Sequence, residues 1–147
     1  MQVTVKRVEN VSWMVSSESG HAIVIDGSPA IGGRNLGMRP MELILAGLGG
    51  CTAMDIVSTL RKQRQVVHDI SITVDGTRAD AIPSVFTDIA LTYRVEGMNL
   101  SAKAVQRAVK LSAETYCSVS KMLTPSVNIT YTIDLIERAT DEADRSS

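Results

Sequence analysis

The residues of this chain best suited to chemistry are its two cysteines. Cys51 ends the run PMELILAGLGGC that begins at Pro40, and Cys117 lies 66 residues further on, in LSAETYCSVS from Leu111. Both fall where helical patterning is apolar. If the two helices lie side by side, the thiols can face each other. A thiol pair of that kind can attack a peroxide and then close to a disulfide. The plainer alternative is a pair of inert core residues, since free cysteine is among the most buried residue types.

The elements that must position these thiols are read from periodicity. Residues 2–8, 11–16 and 21–26 are rich in alternating β-formers, with SESG as a turn, and predict a three-stranded meander. Residues 27–39 carry four glycines and a proline and predict a long loop, either functional or a plain connector. Pro40 suits the first turn of a helix running to about Gln63. That helix is apolar nearly all round until Asp55, so it is expected to be buried on most sides. Gly47, Gly49 and Gly50 each cost it about 1 kcal/mol relative to alanine, which points to close approach by another backbone. Residues 66–78 and 85–96 predict two antiparallel strands. Asn99 or Ser101 can cap a second helix, which Thr124-Pro125 ends. Val127 to Leu135 alternate as a last strand. The expectation is one α+β domain, residues 1–137, in the order βββ-α-ββ-α-β, followed by a charged, disordered tail over 138–147.

Composition removes several function classes. A chain of 147 residues can bury about 68–70 % of its unfolded surface without help from metal or disulfide. The net charge is −1 and aromatics make up 3 %, which argues against a nucleic-acid partner. The longest apolar run, Leu43 to Met54, is 12 residues long and too short for a bilayer, and no apolar run follows Lys6 and Arg7 as in a secretory signal. The chain therefore reads as cytoplasmic, with no membrane. His21 and His68 lack ligand-type spacing with the cysteines, so no metal site is expected. The first helix is too apolar for one small domain to cover, so a homodimer is expected.

At ELILAGLGGC (Glu42 to Cys51), at LSAETYCSVS, and in element order over residues 2 to about 136, the chain resembles the OsmC/Ohr family, with its YhfA-like branch nearest. The resemblance implies an intertwined homodimer with two central buried helices. It also implies that Cys51 attacks an organic hydroperoxide, that Cys117 resolves the product as a disulfide, and that an external dithiol such as dihydrolipoamide resets the pair, with no bound cofactor. Active members flank the first cysteine with a glutamate ten residues upstream and an arginine from the N-terminal loops. Here Met41 stands ten before Cys51 and Glu42 nine before it, and the first hairpin turn, Ser17 to Gly20, has no arginine. One residue turns a helical side chain by about 100°. Glu42 is thus either a catalytic acid or a first-turn residue favoured by the helix dipole. Arg34 and Arg39 are the arginines available to meet a ligand from the loop, and solvated loop residues otherwise. Glu114, within one turn of Cys117, either tunes that thiol or lies in solvent. Met54 belongs to a set of methionines that fill core gaps or suit a greasy substrate.

The leading expectation is a thiol-dependent peroxidase of organic or fatty-acid hydroperoxides acting through Cys51 and Cys117. The alternative is a non-catalytic relative that binds a small apolar ligand, or senses oxidation, at the dimer interface.

Overall fold

A computed structural model describes residues 1–138, so all but the first residue of the expected tail lies outside the described residues. The chain divides into two compact units, Met1–Ile44 and Leu45 onward.

In the first unit, β1 (Val3–Glu9), β2 (Ser12–Ser17) and β3 (Ala22–Ile25) form the expected antiparallel meander. Val5 faces Val15 across the first pair, and Met14 faces Val24 across the second. Beyond β3 the glycine-rich segment is organised around one carboxylate. Asp26 is 2 % exposed and accepts hydrogen bonds from the backbone N–H groups of Gly27 (2.7 Å), Arg34 (3.1 Å) and Leu36 (3.1 Å). A short 3-10 turn, Pro29–Ile31, fills the excursion, and Gly32 ends it at φ 86°. A Cβ at Gly33 would run into the Gly27 carbonyl, so only glycine lets the loop close on itself.

Burial alone would raise the Asp26 pKa, but the donated N–H bonds outweigh it and hold the carboxyl below its usual value of 3.8. A depressed carboxyl stabilises the fold above the unfolded pKa and loses that contribution as pH falls through the folded one. In an acid titration followed by NMR, the amides of Gly27, Arg34 and Leu36 are expected to shift together, with a midpoint below 3.8. They should stay flat in Asp26→Asn.

In the second unit, β4 (Val66–Arg78) and β5 (Phe86–Met98) pair antiparallel, and β6 (Asn128–Glu137) lies parallel to β5. The order β4-β5-β6 makes β5 central, and its Ile89, Leu91, Tyr93 and Val95 are all buried. Alternation produced these strands because each inward side chain removes apolar area from water, at roughly 25 cal/mol per Å².

Helix α1 (Pro40–Lys62) begins in the first unit and continues through the second. Pro40 opens it, and Glu42 reaches back to accept the Arg39 backbone N–H at 2.8 Å, one half of a capping box. Arg61 and Lys62 complement the dipole at its end. Its buried residues are Leu48, Thr52, Ile56 and Leu60, at a strict four-residue spacing. Within one chain the helix is therefore buried along a single stripe. Met54 is 76 % exposed, and Val57 is exposed as well. Gly49 meets the Val74 side chain, while Gly47 and Gly50 face open space within the chain. With 23 residues, α1 has the length and composition of a membrane span, more than its 12-residue apolar run suggests. A core helix of a soluble fold has the same signature.

The second helix departs from the expected single rod. Ser101 is its cap, its Oγ accepting the Ala104 N–H at 3.2 Å. Helix α2 (Ala102–Leu111) packs an apolar face that includes Val105, Ala108 and Val109. The chain then widens into a π turn over Ser112–Tyr116, becomes extended at Cys117 and resumes as α3 (Ser118–Leu123). Cys117 thus lies at a break and not in a helix interior. Its N–H donates to the Ser112 carbonyl five residues back, at 2.9 Å. Single π turns of this kind are frequently found at functional sites.

Candidate thiol site

Helix α1 and the α2–α3 break bring both cysteines together. The two Sγ atoms and a carboxylate oxygen of Asp55 all lie within 4.8 Å of one another. Cys51 and Asp55 are one turn apart on α1, so their side chains share a face. Cys117 comes from the break. Both cysteines are free thiols, Cys51 half-buried and Cys117 at 2 % exposure.

The two sulfurs have different surroundings. The Cys117 thiol is pushed up to about 11: burial is the main cause, the Ser120 N–H partly opposes it, and a hydrogen bond and the charge of Cys51 add to the rise. That N–H reaches Cys117 Sγ at 3.4 Å, so the sulfur also caps α3. Cys51 is the more accessible of the two. Asp55 closes the cluster with a carboxylate.

Asp55 is held by a chain of hydroxyls. Ser112 Oγ donates to Asp55 Oδ2 at 3.0 Å, Thr52 Oγ1 lies 2.8 Å from Ser112 Oγ, and the Tyr93 hydroxyl lies 2.9 Å from Thr52 Oγ1. Each hydroxyl has one proton to give. Ser112 gives its own to Asp55, so Thr52 donates to Ser112 and Tyr93 donates to Thr52. The direction of the chain is fixed, and it ends on the carboxylate. Thr52, Tyr93 and Ser112 are all buried. Burial raises the Tyr93 pKa, which keeps the first donor protonated. The Tyr93 ring also meets Tyr131 edge-on, with centroids 6.2 Å apart.

The other residues singled out from sequence have partners of their own or face solvent. Glu42 caps α1 through the Arg39 N–H. The Arg34 guanidinium pairs with Glu9 at 2.6 Å, and that pair holds its pKa above the usual value. Arg39 donates to the carbonyls of Asp26 and Gly37, both at 3.3 Å. Glu114 is exposed. Met54 lines an open, mostly apolar groove of about 600 Å³ with Ala53, Val57, Ser58, Arg61 and Lys62. Sequence reasoning treated Asp55 only as the end of an apolar run and missed Thr52, Ser112 and Tyr93. The available signal was the four-residue step from Cys51 to Asp55, which marks a shared helix face.

Comparisons with known proteins agree with this architecture. The sequence pattern of the family described as OsmC-like protein matches residues 32–132. Protein YhfA of Escherichia coli (strain K12) is 43 % identical over 136 residues, covering 92 % of this chain and 98 % of its own. A hypothetical protein from Aquifex aeolicus VF5 superposes with a TM-score of 0.78 at 32 % identity, covering 92 % of this chain and 97 % of its own. The organic hydroperoxide resistance protein OhrB of Bacillus subtilis shares the fold, with a TM-score of 0.59 at 22 % identity over 90 % of this chain and 96 % of its own.

Proposed function

The chain belongs to the OsmC-like family, and from that premise we propose that it is a thiol-dependent peroxidase of organic hydroperoxides. The observation that carries this reading is the closeness of two reduced sulfurs, one accessible and one buried. Cys51, as thiolate, attacks the distal peroxide oxygen. The O–O bond breaks, the alkoxide leaves with a proton as alcohol, and Cys51 becomes a sulfenic acid. Cys117 sulfur then attacks Cys51 sulfur. The S–O bond breaks, and hydroxide takes up the Cys117 proton and leaves as water. A disulfide remains. An external dithiol such as dihydrolipoamide supplies the two electrons that reset it.

Closing the disulfide takes the sulfurs from within 4.8 Å to about 2.0 Å. Cys117 sits where the helical ladder is already interrupted, so this movement does not have to unwind a regular helix. The apolar groove at Met54 suits an alkyl chain.

A homodimer is part of the proposal. The first sheet leaves Val3, Val5, Val8, Met14, Ile23 and Val24 exposed, and α1 leaves Met54 and Val57 exposed. Apolar surface on that scale calls for a partner, and Gly47 and Gly50 leave room on α1 for one to approach. Multi-angle light scattering is expected to give twice the 15.8 kDa chain mass. A monomer mass would rule the dimer out.

The chemistry is tested by adding one equivalent of cumene hydroperoxide to the reduced protein, then measuring intact mass and free thiols. Loss of two hydrogens and both thiols is expected. Two thiols surviving long exposure would favour the second reading, a non-catalytic relative that binds an apolar ligand or senses oxidation. The specific observation on its side is Asp55, whose carboxylate stands by the thiols where an activating cation would serve a nucleophile better.

A further inference from the structure

We propose that Cys51, Cys117 and Asp55 form a binding site for a thiophilic divalent cation, of the Zn2+ class, in the reduced protein. The proposal does not require peroxidase activity.

The donor set comes first. Two sulfurs and one carboxylate oxygen lie within 4.8 Å of each other. In a tetrahedral zinc site, with Zn–S near 2.3 Å and Zn–O near 2.0–2.2 Å, ligand atoms stand roughly 3.5–3.8 Å apart. Inward shifts of about 1 Å or less would bring the three donors to those distances. Cys51 and Asp55 are spaced four residues apart on one helix, which presents both to the same point. Cys117 closes the third corner from a different element, so the site forms only in the folded chain. Sulfur donors select zinc and its soft neighbours over magnesium or calcium.

Carboxylates that bind metals are themselves commonly fixed by hydrogen bonds. Ser112 Oγ occupies Asp55 Oδ2 in this way, and Thr52 and Tyr93 fix Ser112 in turn. On the other side, Ser120 N–H donates to Cys117 Sγ at 3.4 Å, a bond that strengthens when the sulfur carries charge. Cys51, being half-buried, provides the way in and leaves a fourth position for water.

Binding requires both thiols to become thiolates, so about two protons leave to solvent for each cation bound, and affinity rises with pH. A disulfide would remove two of the three ligands. The site is then specific to the reduced state, and a bound cation would shield both sulfurs from oxidation.

The probe is Co2+, a spectroscopic stand-in for zinc, added without oxygen to the reduced full-length protein. One Co2+ per chain is expected, with a thiolate-to-cobalt charge-transfer band that Zn2+ displaces and about two protons released. Cys51→Ser and Cys117→Ser should each remove most of the band. Asp55→Asn, nearly the same shape, should keep the band but weaken binding at least tenfold. Ser112→Ala should weaken it between about tenfold and a hundredfold with the band in place. No band, or unchanged affinity in a folded Asp55→Asn, would overturn the proposal. Cobalt binding by a protein that ignores cumene hydroperoxide would keep the site and remove the peroxidase reading. Peroxide consumption with no cobalt band would do the opposite.

Discussion

Cys51→Ser is expected to abolish oxidation by cumene hydroperoxide, lowering the rate of thiol loss by at least about a hundredfold. The hydroxyl that replaces the sulfur is a far weaker nucleophile at neutral pH, and Cys117 cannot substitute. Its sulfur is 2 % exposed and holds its proton up to about 11. Cys117→Ser should behave differently. The first step survives, one equivalent of peroxide is consumed, and the product stays as a sulfenic acid that dimedone traps. The two variants together separate attack from resolution. Equal rates in both variants would mean that the two thiols have no distinct roles and would sink the assignment.

The second large effect concerns Cys117 alone. At pH 8 a thiol with a pKa of about 11 is thiolate in roughly one molecule in a thousand, against about one in ten at the ordinary value of 9.0. Iodoacetamide is therefore expected to label Cys117 about a hundredfold more slowly in the folded chain than in guanidinium, before any steric protection is added. Stability follows with a definite sign. Between pH 9 and 11 the folded chain keeps a proton that the unfolded chain has lost. The contribution is complete below the unfolded pKa and disappears as pH rises through the folded one. Two pKa units correspond to about 2–3 kcal/mol. Urea midpoints of the wild type should fall more steeply over that range than those of Cys117→Ser, in which Tyr93, also held protonated by burial, still adds a smaller decline. Parallel curves for the two proteins would show that the proton is not held by this thiol.

How far the sequence could be read depended on whether a feature is local. The strands were legible because a half-buried sheet writes a two-residue alternation, as in Val127 to Leu135, with boundaries close to those of β6. Pro40 and Glu42 marked the start of α1 for the same reason, since a cap is chemistry between neighbours. The break at Cys117 was not legible. The segment from Ser112 to Ser118 has no proline or glycine, and the apolar residues on either side of it keep a helical spacing. Its π turn shows only in a hydrogen bond that reaches five residues back instead of four. Asp55 was visible as a letter, but its meaning depends on Cys117 arriving from 62 positions away, which no periodicity encodes. The coverage of α1 is legible only in part, because composition measures how apolar a helix is and not which stripe of it one chain covers.

The parallel pairing of β5 with β6 bears on when this protein becomes competent. The β4–β5 hairpin is built from neighbouring residues and can form early in folding. β6 reaches its place beside β5 only after α2, the π turn and α3 have crossed back over the sheet. Pairings over such sequence distances come late, because loop-closure entropy is spent before any contact repays it. Cys117 rides on that crossover. During synthesis Cys51 emerges first and remains an unpartnered thiol until the crossover docks. A nascent chain held before β6 can close would present both sulfurs apart, open to glutathione or to another chain. The vulnerable interval in the life of this molecule is thus set by the topology of one strand, and not by the reactivity of either cysteine.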